Sequence, residues 1–158
     1  MRSKGILLLL VTLLAVACSK PAGDYHFVSE RTAAAQGGRY EFTMELDSAC
    51  TYATTLAARI VGSRTEKAEI NLDIRITSPD GATQIERLPL SLSEEACLKR
   101  ITGSGSLLDC QWHWQDIRTD GTQGGLWHVS VTPTDPASAD ALRGIGLSYE
   151  RIAWEKAN

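Results

Sequence analysis

The chain reads as an all-β protein, an antiparallel β-sandwich of about seven or eight strands that follows an N-terminal signal peptide and a short tether. Three observations predict this class. Apolar and polar residues alternate in several separate stretches, the period of a strand with one buried face. Turn-forming clusters such as Ser78-Pro79-Asp80-Gly81 and Asp120-Gly121 lie between those stretches. No long segment carries the spacing of an amphipathic helix. An antiparallel barrel is the architectural alternative.

Residues 1–17 have the order of a secretion signal: basic Arg2 and Lys4, apolar Ile6 to Leu14, then Ala15-Val16-Ala17 before Cys18. The apolar run is too short to cross a hydrocarbon core of ~30 Å as an ordinary helix. Small residues ahead of a cysteine resemble the bacterial lipobox. That likeness implies a diacylglyceryl group on the Cys18 thiol, cleavage before it, and N-acylation of the new terminus. Residues 18–38 are then expected to form a lipidated tether, with Tyr25, His26 and Phe27 available as a docked edge strand. Residues 39–158 would be the folded domain.

From Arg39 onward the strands can be justified one by one. Tyr40, Phe42, Met44 and Leu46 alternate with Glu41, Thr43 and Glu45. Tyr52, Thr54, Leu56, Ala58 and Ile60 share the face of a second strand. Gly62 to Lys67 would turn the chain into Ile70, Leu72, Ile74 and Ile76, the clearest alternation present. Pro79 has a fixed φ and Asp80-Gly81 supplies a left-handed position, so a hairpin should return the chain along 82–92. Ile85 stands off the register of Leu88, Leu90 and Leu92, which predicts a bulge or a split there. Ser93 to Lys99, with Ser followed by two glutamates, reads as a short helix.

Gln111 to Arg118 forms another strand, with Trp112 and Trp114 on one face and His113, Gln115 and Ile117 on the other. Trp127, Val129 and Val131 mark the next. Asp135 to Leu142 is a helical turn with Pro136 near its start, and Gly144 to Trp154 closes the domain with Ile145, Leu147 and Tyr149 on one face.

Composition narrows the function. Removing 17 of 158 residues leaves 141, enough for one domain with a substantial core. All 19 acidic residues stay while Arg2 and Lys4 leave, so the formal charge moves from −3 to −5. Nucleic acid and anionic membrane surfaces need a basic footprint that this chain lacks. Membrane attachment would come through the lipid, at roughly 0.8 kcal/mol per buried methylene.

Beyond Cys18 there are Cys50, Cys97 and Cys110, so at most one internal disulfide can form. Cys97 and Cys110 flank the turn-rich Gly103 to Ser106 and are the favoured pair, worth about 3 kcal/mol in the chain-entropy model. Burial of all three as small thiols is the alternative. Neither a cofactor nor a metal site is expected, because no Cys-x-x-Cys, His-Glu-x-x-His or calcium loop is present. His113 and His128, with Asp109 or Asp116, read as exposed polar residues rather than as an acid-base centre. Ser104 and Ser106 lie outside any Gly-x-Ser-x-Gly elbow. Trp112 and Trp114 either pack on the sheet or form an aromatic platform for a sugar, with packing the favoured reading. Arg143, Glu150 and Arg151 read as surface charge at the ends of the last strand, or as an edge that meets a partner.

Tyr40 to Leu46, Pro79-Asp80-Gly81, Gly125-Leu126-Trp127 and Leu142-Arg143-Gly144-Ile145-Gly146-Leu147 together resemble the GldH family of gliding-motility lipoproteins from Bacteroidetes. The resemblance implies a non-enzymatic accessory lipoprotein of the cell envelope. The resulting expectation is an adaptor anchored through Cys18, bound to an envelope protein by a sandwich face or an edge strand. Ser19 after Cys18 resembles outer-membrane sorting, and Ser19 to Gly23 carries no acidic residue, which favours the periplasmic side. A surface glycan-binding lipoprotein using Trp112 and Trp114 is the competing expectation.

Overall fold

The computed structural model describes residues 23–62, 69–102 and 105–154. Cys18, the signal peptide, the start of the tether, the turn at 63–68, Gly103-Ser104 and the C-terminal tail lie outside the described residues.

Two antiparallel sheets face one another. The five-stranded sheet contains β1 (Gly23–Ser29), β3 (Cys50–Val61), β6 (Cys97–Thr102), β7 (Gly105–Arg118) and β9 (Leu142–Trp154), in the order β1-β9-β3-β7-β6. The four-stranded sheet contains β2 (Tyr40–Leu46), β4 (Glu69–Thr77), β5 (Thr83–Ser91) and β8 (Gly125–Pro133), in the order β2-β8-β4-β5. Helix α1 (Glu30–Ala35) links β1 to β2, and α2 (Pro136–Ala141) precedes β9. The sandwich class is therefore as the alternation predicts.

The core is built from the inward positions of both sheets. Phe42, Met44, Leu72, Ile74, Val129 and Val131 from one sheet meet Leu56, Ile60, Ile145 and Leu147 from the other, all buried. Hydrogen bonds also tie the layers: the Tyr149 hydroxyl accepts from the Glu45 amide at 3.4 Å, and the Tyr52 hydroxyl accepts from the Asp47 amide at 2.9 Å. Burial is the leading cause that raises the pKa of both tyrosines.

Several local readings need correction. The edge strand expected at Tyr25, His26 and Phe27 is present and longer, with β1 paired to β9 from Gly23↔Glu150 to Ser29↔Gly144, so the folded part starts at Gly23 and not near Arg39. The Ser29 side chain then accepts from the Thr32 amide and caps α1, whose Ala33 is buried, so the stretch read as tether is ordered by tertiary contacts. Ser93 to Lys99 does not become a helix. The amides of Ala96 and Cys97 both donate to the Ser93 carbonyl, closing one turn, and β6 starts at Cys97 to use the free edge of β7.

The Pro79-Asp80-Gly81 turn closes the β4–β5 hairpin, with Gly81 at φ +86°. The Ser78 hydroxyl donates to the Asp80 carboxylate, which also accepts from the Ala82 amide, and these bonds lower the Asp80 pKa. No bulge accompanies Ile85. The β4–β5 register is continuous from Glu69↔Ser91 to Thr77↔Thr83, and Ile85 simply points outward beside Arg75, 61% exposed. β5 is the edge of its sheet, where Pro89, opposite Asn71, is tolerated because an edge strand has a side with no ladder to feed.

The irregularities lie elsewhere: β9 shifts register against β3 at Thr51/Tyr52 and at Arg59/Ile60, and a third shift lies in β7. Its register with β3 shifts between Ala53↔Asp116 and Thr55↔His113, placing one extra residue on β7. Buried Thr54 serves the bulge: its hydroxyl donates to the Gln115 carbonyl at 2.6 Å and accepts from the Gln115 amide at 3.3 Å. The shift turns Ile117 inward against the core, on the side of Trp112 and Trp114 rather than opposite them.

Candidate binding face

The outward positions of the five-stranded sheet line up in rows. One row is Ser29–Gly144–Arg59–Asp109–Leu98, and the next is Phe27–Gly146–Ala57–Gln111. Strands β9 and β3 thus present Gly144, Gly146 and Ala57 in the middle of the face, while bulkier side chains stand on β1, β7 and β6. Small residues between taller ones leave a trough of about 820 Å³, walled by Tyr25, Phe27, Arg59, Glu95, Asp109 and Gln111.

Two glycines determine how the β1 wall lies. A Cβ on Gly144 would overlap the Phe27 ring, and one on Gly146 would stand 2.6 Å from the Tyr25 hydroxyl. Without those atoms both rings lean across β9 and bury its backbone. Even so, Tyr25 is 54% and Phe27 44% exposed. Arg59 bridges the trough, its guanidinium 5.9 Å from the Phe27 ring centroid and its Nε donating to Asp109 at 2.8 Å. The hydrogen bond to Asp109 is the main cause raising the Arg59 pKa.

The candidates named from sequence fall in different places. Trp112 and Trp114 are half-buried against the core and cross the gap between the sheets. Their indole N–H groups donate to the Ser91 carbonyl at 2.8 Å and to the Glu86 carboxylate at 3.1 Å. Both partners belong to the β5 side of the sandwich, so the two rings close its interior and do not form a common outer platform. Trp127 is buried, with its N–H on the Gln123 carbonyl. A disulfide joins Cys97 to Cys110, which face each other across β6 and β7. Cys50 is a buried free thiol.

His113 is exposed and 3.4 Å from Asp116, while His128 projects from the other sheet. Asp109 belongs to the trough. Among the described residues no three His, Cys, Asp or Glu side chains gather as a metal would require. Arg143 pairs with Glu30 at 3.2 Å, and Arg151 with Asp47 at 2.8 Å, so both fasten the last strand to neighbouring segments. Ser106 lines a smaller hollow of about 550 Å³ with Phe27, Arg59 and Arg143. No helix among the described residues is long and apolar enough to cross a membrane.

Sequence reasoning missed Ala57, Arg59, Gln111, Gly144 and Gly146 as parts of one face. The available signal was the outward half of each alternation: small residues at 57, 144 and 146, beside aromatics at 25 and 27.

No family model matches the chain, and no curated protein matches it. Among solved structures it is similar to an α-L-fucosidase from Vibrio sp. strain EJY3, with a TM-score of 0.43 and 11% identity over 71% of this chain. The chain spans only 19% of that enzyme's length. It is also similar to the tripod from the baseplate of bacteriophage Tuc2009, with a TM-score of 0.39, 11% identity, and 89% and 96% of the two chains covered. CBM35 from Cellvibrio japonicus Abf62 gives a TM-score of 0.33 at 15% identity, covering 76% of this chain and 71% of that one. Such distant likenesses say nothing about the trough.

Proposed function

We propose that the protein is a membrane-anchored, non-enzymatic accessory lipoprotein of the bacterial cell envelope, which holds the outer face of its five-stranded sheet beside the membrane to recognise another envelope component. The observation that supports this reading is the closeness of the first strand to Cys18. Pairing begins at Gly23, and the intervening chain reaches at most about 18 Å when fully extended. A lipid on Cys18 would therefore hold β1 within a short distance of the bilayer surface. The likeness to the GldH lipoproteins extends the proposal to an accessory place beside a larger envelope assembly, on the periplasmic side of the outer membrane.

A glycan platform at Trp112 and Trp114 is the weaker reading, since both indoles are engaged between the sheets. The test of the anchor is metabolic labelling with an alkyne-bearing fatty acid, followed by membrane fractionation of wild type and Cys18→Ala. Label and membrane retention in wild type alone are expected. Equal retention of the unlabelled Cys18→Ala chain would sink the reading.

A further inference from the structure

We propose that the trough on the outer face of the five-stranded sheet is a binding site for a neutral saccharide, with Tyr25 as the stacking surface. This goes a step further than the recognition role above and rests on it, but does not require the lipid. The chemistry of the walls selects the ligand class. Tyr25 offers an exposed ring lying on Gly146, and a pyranose can place its C–H face on such a ring. Around it stand Arg59, Asp109, Gln111 and Glu95, planar groups that match the paired hydroxyls on a sugar's rim.

Other ligand classes fit less well. Asp109 and Glu95 outnumber Arg59 in the walls, so an anion would meet net repulsion. An acyl chain would leave these charged groups facing hydrocarbon. A volume of about 820 Å³ suits a small ligand. Part of the wall is also held before any ligand arrives: the Phe27 ring rests on Gly144, and Arg59 is fixed between Asp109 and Phe27. That lowers the ordering cost of binding.

The experiment presents the mature chain to an array of neutral gluco-, manno-, galacto- and chito-oligosaccharides, then titrates the best binder by calorimetry. Tyr25→Ala should weaken binding by about tenfold or more and Gln111→Ala by about fivefold, while Tyr25→Phe stays within about threefold. Circular dichroism and thermal melting confirm that each variant folds. Failure to bind any oligosaccharide at millimolar concentration, affinity unchanged in Tyr25→Ala, or competition for the trough by a peptide or a second copy would each overturn the proposal. Sugar binding with no membrane retention would defeat only the anchor; membrane retention with no sugar binding would defeat only the saccharide site.

Discussion

The two outer faces of the sandwich are built from the same kind of strand and finished differently, although each carries a cross-strand ion pair and a hollow, about 820 Å³ on the five-stranded side and about 500 Å³ on the four-stranded side. On the four-stranded sheet, long polar side chains pair across the strands. Asp73 accepts from Arg87 at 2.8 and 3.1 Å, Glu41 accepts from Ser130 at 3.0 Å, and Arg39 lies 3.4 Å from Glu41. On the five-stranded sheet, Gly144, Gly146 and Ala57 leave the centre low, and aromatic rings lie down over the backbone. Charge pairing covers a sheet with groups that water already satisfies, and contributes little individually. Small residues instead let neighbouring side chains become walls, so a recognition face requires what is missing from its centre as much as what stands at its rim.

The largest test of this contrast is removal of the disulfide. Cys97–Cys110 holds β6, and with it the Leu98 side of the trough, at a sequence separation of 13. Replacing both cysteines with Ala should cost about 3 kcal/mol in chemical denaturation. Amide exchange should rise in β6 and β7 while the β4–β5 hairpin stays protected. Equal loss of protection in both sheets would show that the two faces are not separable.

Thr54→Val comes next. It leaves the part-buried Gln115 amide and carbonyl at the bulge without their hydroxyl partner, for an expected loss of about 1–2 kcal/mol in urea unfolding. Gly144→Ala should follow at about 1–2 kcal/mol, because the new methyl meets both the Phe27 ring and the Val28 carbonyl oxygen. Gly146→Ala should cost less, since the nearest atoms belong to the end of the Tyr25 side chain, which can swing away.

The smallest effect belongs to the four-stranded face. The hydrogen bond from Arg87 holds the exposed Asp73 carboxyl below its ordinary pKa of 3.8. A carboxylate with a depressed folded-state pKa stabilises the fold above its unfolded pKa and loses that contribution as pH falls through the folded value. The melting-temperature gap between wild type and Asp73→Asn should therefore be small near neutrality, and should close on acidification below about pH 4. A gap that widened on acidification would contradict the ion-pair account.

Alternation made the inside of the molecule legible. Tyr52 through Ile60 and Ile70 through Ile76 are buried as their period of two requires, because the core imposes one rule on every inward position. Outward positions answer to their cross-strand neighbours, which are distant in sequence. Gly146 becomes intelligible only beside Phe27 in the register and under the Tyr25 ring. For the same reason α1 resembled a tether: the segment around it shows no sustained apolar period, and its order comes from the Ser29 cap and the burial of Ala33. β6 was hidden because its pairing with β7 outweighs the helical signal of the glutamates before it. Ile117 was assigned to the wrong face because a single inserted residue in β7 reverses the pattern beyond it.

Pro89 has a wider consequence. A strand approaching β5 from outside meets a residue with no N–H to donate, next to the charged Arg87, so the sheet cannot readily be extended there by another chain. If molecules are concentrated on a membrane, encounters between identical copies are frequent and last longer than in free solution. One proline then disfavours strand addition by a neighbouring copy at this border of the four-stranded sheet.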